Sequence, residues 1–280
     1  ESIADFVRRR LGQEFLDYAI NPFVGGVFAG NPENLSVRSA FPRLYRLEEK
    51  YGGLIKGMIK GSKERKKSGE VSKQSAKMFS FRKGMQSLPG AIAQSMGEKV
   101  VFGANVNKII LNGKKNSGYL VKYVEKNEIK TIETKAVVST IPAYILSDIL
   151  KPMDKKVSEH LSSIYYPPVL VLCLGYPKDA VKRDLDGFGF LIPEKEDKLF
   201  LGAIWNSIIF PERSDDDHVS FTLFVGGARR PDLLKDKDKD ALENLVQEVV
   251  IEFHQIMDIN ETPDFVAQKM WDKAIPQYNT

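Results

Sequence analysis

The sequence predicts an α+β fold in which a curved, mixed or antiparallel sheet is flanked by helices. Between residues 165 and 231, apolar runs alternate with turn residues, and short connections between such runs favour antiparallel neighbours. The runs are residues 169–175, 187–192, 199–207 and 219–226. Farther along, apolar residues recur every three and four positions across 240–257, which is typical of a helix that lies on a sheet.

The first predicted domain, residues 1–78, is mostly helical. Ser2 can cap a helix, because its hydroxyl can accept a hydrogen bond from a free amide of the first turn. A second apolar helical face over residues 15–20 is expected to end at the following Asn-Pro pair. The segment FVGGVFAGNP, residues 23–32, is predicted to be a loop whose glycines permit tight packing rather than phosphate binding. A long helix is predicted over residues 42–58, with Pro42 in its first turn.

Residues 56–77 are the one low-complexity stretch, rich in lysine and arginine and poor in apolar side chains. Such a composition predicts a solvated loop. The alternative is contact with anionic lipid, to which each basic residue near a membrane surface contributes about 1 kcal/mol. The sequence leaves both alternatives open.

The second predicted domain is residues 79–150. Ser87 can cap a helix over residues 88–96, with Pro89 in its first turn. Short strands are predicted at residues 100–110, 119–124, 129–133 and 136–140. A loop that contains Lys114, Lys115 and Asn116 separates the first two strands.

The third predicted domain, residues 151–280, holds the sheet described above and the 240–257 helix. It ends with a further strand at residues 265–271. Its strands carry more aromatic side chains than one core face of a small sheet needs. Strand aromatics most often form core, but one face of such a sheet could instead contact a flat, apolar ligand.

Composition argues against several classes of function. The net charge is +4, and basic residues are not interleaved with aromatic ones, which argues against nucleic-acid binding. The 3 histidines are scattered, so no metal site is predicted. No G-x-S-x-G sequence occurs, and the single cysteine, Cys173, lacks a partner pattern, so no nucleophile is assigned.

Localisation is predicted from what the sequence contains. One cysteine cannot form an internal disulfide, which suits a reducing compartment such as the cytoplasm. No apolar run is long enough to predict a membrane-spanning helix, and no leader pattern is recognised.

Several longer motifs follow one another in a fixed order. They are DYAINPFVGGVFAGNPENLSV, YYPPV, GFGFLIP, LGAIWNSIIFPER, FTLFVGGARRP and AIPQYN. Together they resemble the substrate domain of the protoporphyrinogen oxidase family, and the resemblance extends over essentially the whole chain. It implies an FAD-dependent enzyme of haem synthesis that oxidises protoporphyrinogen IX to protoporphyrin IX. It further implies hydride transfer to FAD and electron transfer to oxygen, so that the cofactor rather than a side chain carries the redox chemistry.

The segment that would hold the FAD diphosphate is not found in the sequence. No strand leads into a G-x-G-x-x-G turn at the start of a helix. By resemblance, residues 79–150 are a partial flavin-binding-domain segment, and the phosphate-binding turn would precede Glu1. We therefore expect an interior fragment that also lacks the C-terminal end, that is inactive alone and that does not retain FAD.

The resemblance also implies substrate-binding residues. Phe188, Gly189, Leu191, Ile204 and Phe224 match positions that line the porphyrinogen pocket. The two aliphatic residues match one side of the macrocycle, and Phe224 matches the aromatic residue on the other side. No catalytic residue is implied within the chain.

Two further positions match contacts to FAD in the family. Val106 corresponds to a residue that touches the adenine side through its backbone, and Trp271 to an aromatic residue beside the flavin ring. Ordinary core packing is the alternative for both. The arginine that binds propionate in the family would lie upstream of Glu1.

Other functions stay open at this point. The nearest alternative is oxidation of coproporphyrinogen III within the same family, and a more distant one is an amine oxidase or carotenoid desaturase. A non-catalytic module that binds an apolar ring belongs to a different class. The expected partners are a porphyrinogen and oxygen, without nucleic acid. Peripheral contact with an anionic inner membrane and a homodimer are compatible with the sequence.

Overall fold

The computed structural model describes residues 1–68, 80–113 and 118–280, and residues 62–68 are described by their backbone alone. Parts of two predicted loops therefore lie outside the described residues. They are residues 69–77 of the basic segment and the loop at Lys114, Lys115 and Asn116.

The chain divides into two compact units. One consists of Glu1–Glu70 with Tyr165–Thr280, and the other is Val71–Ile164. The first unit combines most of the first and third predicted domains, and residues 151–164 belong to the second unit. A buried hydrogen bond explains this, since the Ser147 hydroxyl donates to the Ser158 carbonyl at 2.9 Å and joins two consecutive helices.

The N-terminal part of the chain is helical, and the rest contains both strands and helices. The helices are α1 (Ile3–Leu11), α2 (Gln13–Phe15), α3 (Asn21–Phe28), α4 (Val37–Ala40), α5 (Pro42–Tyr51), α6 (Leu54–Ser68), α7 (Ser87–Met96), α8 (Ala143–Leu150), α9 (Lys155–Ser162), α10 (Asn206–Ile209) and α11 (Lys239–Met257). The strands are β1 (Asn105–Leu111), β2 (Tyr119–Glu125), β3 (Glu128–Thr134), β4 (Val169–Pro177), β5 (Gly189–Leu191), β6 (Phe200–Trp205), β7 (His218–Gly226) and β8 (Phe265–Trp271). A π-helical turn, Leu16–Ile20, joins α2 to α3.

The larger sheet has the strand order β5-β6-β7-β4-β8, and all neighbouring strands are antiparallel. Its strands β5, β6, β7 and β4 correspond to the four predicted runs, and the predicted α+β fold is confirmed. The smaller sheet, β1-β2-β3, is also antiparallel and belongs to the second unit.

Helix α11 packs on one face of the larger sheet, which we call the core face. Alternate residues of a strand point to the same side, so Leu170, Leu172 and Leu174 of β4 are all fully buried there. The ring of Phe253 on α11 lies edge-on to Phe221 of β7, with 5.1 Å between centroids. This cluster is the larger of the hydrophobic cores in the first unit, and a second one surrounds α1.

Helix α11 begins and ends close to its predicted bounds. Asp238 caps it, because its carboxylate accepts a hydrogen bond from the Ala241 amide at 2.8 Å. Asp258 adopts the left-handed conformation, with φ of 54°, and ends the helix.

The prediction of a loop over residues 23–32 is wrong for most of that segment. Helix α3 runs from Asn21 to Phe28, with Pro22 in its first turn, where a proline is tolerated. It ends at Ala29, which has a left-handed φ of 47°. The glycines are helical because other elements pack directly against them, which local propensity does not register.

The predicted long helix over residues 42–58 is two helices. Gly52 has φ of 72° and ends α5, and α6 begins two residues later. Residues 56–68 then continue α6 instead of forming the predicted loop. Lysine, arginine, glutamate and methionine are good helix formers, so a basic composition did not require a loop there.

Several predicted strand bounds are also corrected. The strand expected at 100–110 begins only at Asn105, and residues 136–140 form no strand. Within the described residues β3 is the edge strand of its sheet. No further strand lies beyond it with which residues 136–140 could pair. Strand β6 ends at Trp205, because the next four residues turn into α10. The residue before α7 is Gln86 rather than Ser87, and no side chain caps that helix.

An imidazole between two carboxylates joins the ends of β7 and β8. His218 Nδ1 lies 2.6 Å from Asp215, and its Nε2 lies 2.9 Å from Asp264. Only the protonated ring can donate from both nitrogens. Hydrogen bonds to Asp215 and then Asp264 raise the pKa of His218, and the bond from His218 lowers the pKa of Asp215.

This arrangement gives the stability a defined pH dependence. Because the pKa of His218 is raised on folding, the protonated ring contributes fully to the free energy of unfolding below about pH 6.5. This contribution is lost as the pH rises through the pKa of His218 in the folded protein. Because the pKa of Asp215 is lowered on folding, protonation of this carboxylate removes the contribution of the pair to the free energy of unfolding as the pH falls below about 4. We expect His218→Gln to lower the urea midpoint at pH 5.5 and to leave it nearly unchanged at pH 9.

The control is His160→Gln, since His160 is exposed on α9. It should leave the urea midpoint unchanged at both pH values. Equal destabilisation by His218→Gln at pH 5.5 and pH 9 would show that the imidazolium contributes nothing as a charge.

Candidate functional site: the apolar face of the larger sheet

The face of the larger sheet that points away from α11 carries most of the predicted substrate residues. Directly paired residues of antiparallel strands share a face. Leu191 is paired with Gly202, and Gly202 with Phe224, while Gly189 is paired with Ile204 in the adjacent row. We call this surface the apolar face. It also includes Val171 and Cys173 of β4, Thr222 of β7 and Trp271 of β8.

The apolar face is not part of the core under α11. Leu223 is fully buried on the core face, whereas its neighbour Phe224 is only half-buried. One side of Phe224 packs against a small cluster formed by Ala29, Val169 and Leu201. Leu191 is 45% exposed and Ile204 is 38% exposed. The exposed parts of Leu191, Ile204 and Phe224 form an apolar surface, which we call the apolar wall.

A glycine separates the two ends of this wall. Gly202 lies on β6 between Leu191 and Phe224, which are therefore two strand spacings apart, or about 9–10 Å. Gly202 has φ of 154°, and a Cβ atom there would collide with the carbonyl oxygen of Phe190. Only glycine fits at this position, because the backbone of β5 and the side chain of Leu191 already occupy the space beside it.

The other predicted site residues lie outside this row. Phe188 precedes β5 and is 70% exposed, and its carbonyl accepts a hydrogen bond from the Trp205 amide at 2.9 Å. Trp271 is at the far strand, 51% exposed, with the Lys269 ammonium 5.3 Å from its ring centroid. Val106 is on β1, in the other compact unit, paired with Tyr123. The assignment of these residues to substrate or FAD stays a prediction.

One polar group borders the apolar wall and was missed by sequence reasoning. Asn206, the first residue of α10, donates from Nδ2 to the hydroxyl of Thr222 at 2.8 Å. The Cys173 sulfur lies 3.7 Å from the same hydroxyl. The Asn206 side-chain oxygen is buried and has no hydrogen-bond partner among the residues that the structure describes. The motif WNS gave no signal of this, because it depends on a contact between α10 and the distant strand β7.

Helix α3 closes one end of the apolar face, and two glycines allow it to approach. A Cβ atom on Gly26 would overlap Cδ2 of Leu191 and lie 3.3 Å from its Cδ1. A Cβ atom on Gly25 would lie 2.9 Å from the guanidinium carbon of Arg229. The two glycines therefore accept one side chain each, in agreement with the predicted role in tight packing.

Arg229 holds α3 and the β5–β6 turn together. Its Nη1 donates to the Asn21 side chain at 2.6 Å and to the Ile192 carbonyl at 3.3 Å. Asn21 in turn donates to the Glu194 carboxylate at 2.8 Å. Burial lowers the pKa of Arg229, while the charge of Glu194 acts against that shift. The sequence shows the Arg-Arg pair in FVGGARRP, but does not show which arginine contacts α3.

A second contact fixes the same turn. The Lys195 ammonium lies 2.6 Å from the Asp17 carboxylate, on the π-helical turn that precedes α3. The hydrogen bond from Lys195 lowers the pKa of Asp17. The N-terminal end of α3 is thus tied to the turn between the strands that form the wall.

The described residues do not fit the diphosphate of FAD. Phosphate binding needs free backbone amides at a helix start, but Gly25 and Gly26 lie within α3 and are covered by Arg229 and Leu191. We therefore derive no chemical step through FAD from these residues. The apolar face offers shape and desolvation, which are suited to holding a flat, apolar molecule.

Sequence comparison identifies relatives along the entire chain. A family model described as flavin containing amine oxidoreductase matches residues 1–280. Chloroplastic protoporphyrinogen oxidase of Oryza sativa subsp. japonica is 34% identical, with 99% of this chain and 54% of the relative covered. Coproporphyrinogen III oxidase of Bacillus subtilis (strain 168) is 26% identical, with 100% of this chain and 57% of the relative covered. The chain spans about half the length of these relatives.

Solved structures share the fold. A protein of Exiguobacterium sp. 255-15 matches with a TM-score of 0.72 at 18% identity, and covers 99% of this chain and 56% of its own. Reduced UDP-galactopyranose mutase matches with a TM-score of 0.64 at 13% identity, with 100% and 56% covered. At these identities the likeness concerns the fold alone. The match along its full length shows that the chain belongs to the flavin-containing amine oxidoreductase family.

Proposed function

We propose that the protein containing this chain is an FAD-dependent oxidase that converts protoporphyrinogen IX to protoporphyrin IX in haem synthesis. The apolar face is one wall of its substrate site. The observation that carries this proposal is the single row in which Leu191, Gly202 and Phe224 present an open apolar surface opposite the core. The names of the relatives give the substrate class.

The chemistry of a porphyrinogen suits this surface. The macrocycle is large and apolar, and it gains from burial at about 25 cal/mol per Å² of apolar area. Leu191, Ile204 and Phe224 supply such area without a charge that would have to be desolvated. These residues bind and orient the ring and exclude water. FAD, held by the rest of the protein, supplies the oxidation when bound, with oxygen as the proposed electron acceptor.

Two alternatives are separated by one experiment. Oxidation of protoporphyrinogen IX and coproporphyrinogen III by the FAD-loaded protein is followed by the fluorescence of the porphyrin formed. We expect a larger kcat/KM with protoporphyrinogen IX. A preference for coproporphyrinogen III, the substrate in the name of the Bacillus relative, would contradict that choice. Porphyrin binding without oxidation of either compound would favour a non-catalytic module.

We also propose peripheral contact of a cytoplasmic protein with an anionic membrane surface, through helix α6. Gly57 packs on Leu47 of α5, with a Cβ position 3.0 Å from the Leu47 Cβ atom, so this side of α6 faces the protein. Ile55, Met58 and Ile59 are 72%, 52% and 56% exposed. They lie three and four positions apart, and Lys56 and Lys60 are exposed beside them on the helix.

An exposed apolar strip with basic residues beside it fits the interface of an anionic bilayer. More lysines and an arginine follow in the same helix. Among the described residues, no helix is long and apolar enough to cross a membrane. The proposed contact therefore lies in the plane of the surface. A homodimer stays a prediction.

The expected result is salt-sensitive binding to vesicles. Vesicles of phosphatidylglycerol and phosphatidylcholine should sediment the chain at low salt and release it near physiological salt, where the Debye length falls to about 8 Å. Replacing Ile55, Met58 and Ile59 together by serine should reduce binding at all salt concentrations, because it removes the inserted apolar area.

The control variant is Ile251→Ser, since Ile251 is 56% exposed on α11. It should bind vesicles like the unmodified chain. Equal sedimentation with pure phosphatidylcholine vesicles would contradict the electrostatic part, and an unaffected triple variant would contradict the role of α6.

A further inference from the structure

A cation lies in the same row of the larger sheet as the apolar wall. Phe224 of β7 is paired with Val171 of β4, and Val171 is paired on its other side with Lys269 of β8. Because directly paired residues share a face, Lys269 lies on the apolar face, two strand spacings or about 9–10 Å from Phe224. Leu191 lies at the opposite end of the same row. The row therefore runs from an aliphatic end to a cationic end.

The ammonium group of Lys269 is accessible to a ligand. Lys269 is exposed on β8, which is an edge strand of the larger sheet in the described part of the chain. Its ammonium lies 5.3 Å from the centroid of the Trp271 ring, and this cation–π contact keeps it close to the face. Among the residues that the structure describes, no carboxylate forms an ion pair with Lys269. The charge is therefore available to an anionic group at the rim of the apolar face.

A lysine on an edge strand can also have a purely structural purpose, because it deters pairing with a strand of another chain. That purpose requires a charge at the edge but not on a particular face. Lys269 carries the charge of the two rows that hold Leu191, Ile204 and Phe224. The other residues of these two rows are uncharged: Leu191, Gly202, Phe224, Val171, Gly189, Ile204, Thr222, Cys173 and Ala267. A charge at one end of an otherwise uncharged surface favours a ligand that is apolar at one end and anionic at the other.

We infer that Lys269 binds a propionate carboxylate of the substrate and so sets the direction in which the ring lies on the apolar face. This inference rests on the proposed function. Protoporphyrinogen IX carries propionates on two adjacent pyrroles and vinyl groups on the other two, so its vinyl side can lie toward Leu191. Coproporphyrinogen III carries propionates in place of the vinyl groups, and these would lose water against the aliphatic end of the row. Lys269 is therefore assigned as a substrate-binding residue that favours protoporphyrinogen IX.

The test compares one porphyrin ring with and without its carboxylates. Protoporphyrin IX and its dimethyl ester are each titrated with the FAD-loaded protein, and binding is followed by the anisotropy of the porphyrin fluorescence. Lys269→Met removes the charge and keeps an unbranched stem beside Trp271. It is expected to raise the Kd of protoporphyrin IX at least about fivefold, equivalent to about 1 kcal/mol. The Kd of the dimethyl ester and the melting temperature should stay nearly unchanged, since Lys269 is exposed.

Two control variants and a change of salt separate the charge from other effects. Lys269→Arg keeps a cation and should retain most of the affinity for protoporphyrin IX. Lys182→Met removes the same charge from an exposed position beyond the end of β4 and should change neither Kd. High salt should reduce the difference between the unmodified protein and Lys269→Met, because salt screens exposed charges.

Two results would overturn the inference. An equal loss of affinity for the acid and the ester would show that Lys269 acts through the ring or the cofactor rather than through a carboxylate. An unchanged Kd for protoporphyrin IX in Lys269→Met would show that the ammonium makes no contact with it. In both cases the unmodified protein still binds porphyrin, so the proposed function stands. If the unmodified protein neither binds nor oxidises a porphyrin, the proposed function is wrong and the role of Lys269 falls with it.

Discussion

Leu223→Ala is expected to lower the stability of the protein, whereas Phe224→Ala is expected to lower its activity, although the two residues are neighbours on β7. Leu223 is fully buried under α11, so its truncation should cost about 2–5 kcal/mol of the free energy of unfolding. Phe224 is half-buried on the apolar face, so its truncation should leave the melting temperature little changed. It should instead lower kcat/KM for protoporphyrinogen IX at least about tenfold, equivalent to roughly 1.4 kcal/mol.

Melting and kinetics are measured in parallel on the FAD-loaded protein, and each variant serves as the control for the other. A large loss of stability in Phe224→Ala, with normal turnover in the folded fraction, would place Phe224 in the core. It would also remove the main support for the apolar face as a substrate wall. FAD retention in both variants distinguishes a lost substrate contact from a lost cofactor.

Arg229→Met is expected to destabilise the protein far more than Arg230→Met. The methionine keeps an apolar stem but removes the Arg229 donor from the Ile192 carbonyl and one of the two donors of the Asn21 oxygen, which keeps the Glu194 amide at 3.1 Å. Unpaired buried acceptors cost about 1–3 kcal/mol, which outweighs the relief from no longer burying a charge that has no directly bound carboxylate. Arg230 makes one ion pair with Asp197, whose side chain is 91% exposed, so its loss should cost less than about 1 kcal/mol.

Urea unfolding of the two variants provides the comparison. If Arg230→Met is as destabilising as Arg229→Met, the buried network does not hold α3 in place. A second readout is porphyrin binding, which should weaken in Arg229→Met because α3 then no longer confines Leu191. Together, urea unfolding and porphyrin binding show whether the contacts of Arg229 affect stability alone or also the binding properties of the apolar face.

Resemblance and local pattern predicted much of this chain correctly. Regular alternation and spacing identified β4, β7, β8 and α11, because the periodicity of a strand or helix is a local property of the sequence. The motifs identified the family, which the full-length match confirms. The predicted role of Gly25 and Gly26 in packing agrees with the contacts that they make.

Local pattern failed where a distant contact decides the conformation. Residues 21–28 were expected to end a helix and begin a loop, yet they are α3, because a glycine-rich helix becomes favourable when Leu191 and Arg229 pack on it. Residues 136–140 have strand composition but no partner strand among the described residues. A strand exists only when another pairs with it, and the residue string does not contain that information.

By itself, the sequence determined which segments of this protein are strands or helices with clear periodicity, and to which family the chain belongs. It could not determine which of Leu223 and Phe224 faces the core, because both are apolar and alternation fixes only that they point to opposite sides. The tertiary structure decided this by placing α11 on one face and leaving the other open. It also decided that Arg229 rather than Arg230 bonds to α3, since only the packing of α3 against the sheet distinguishes two adjacent arginines.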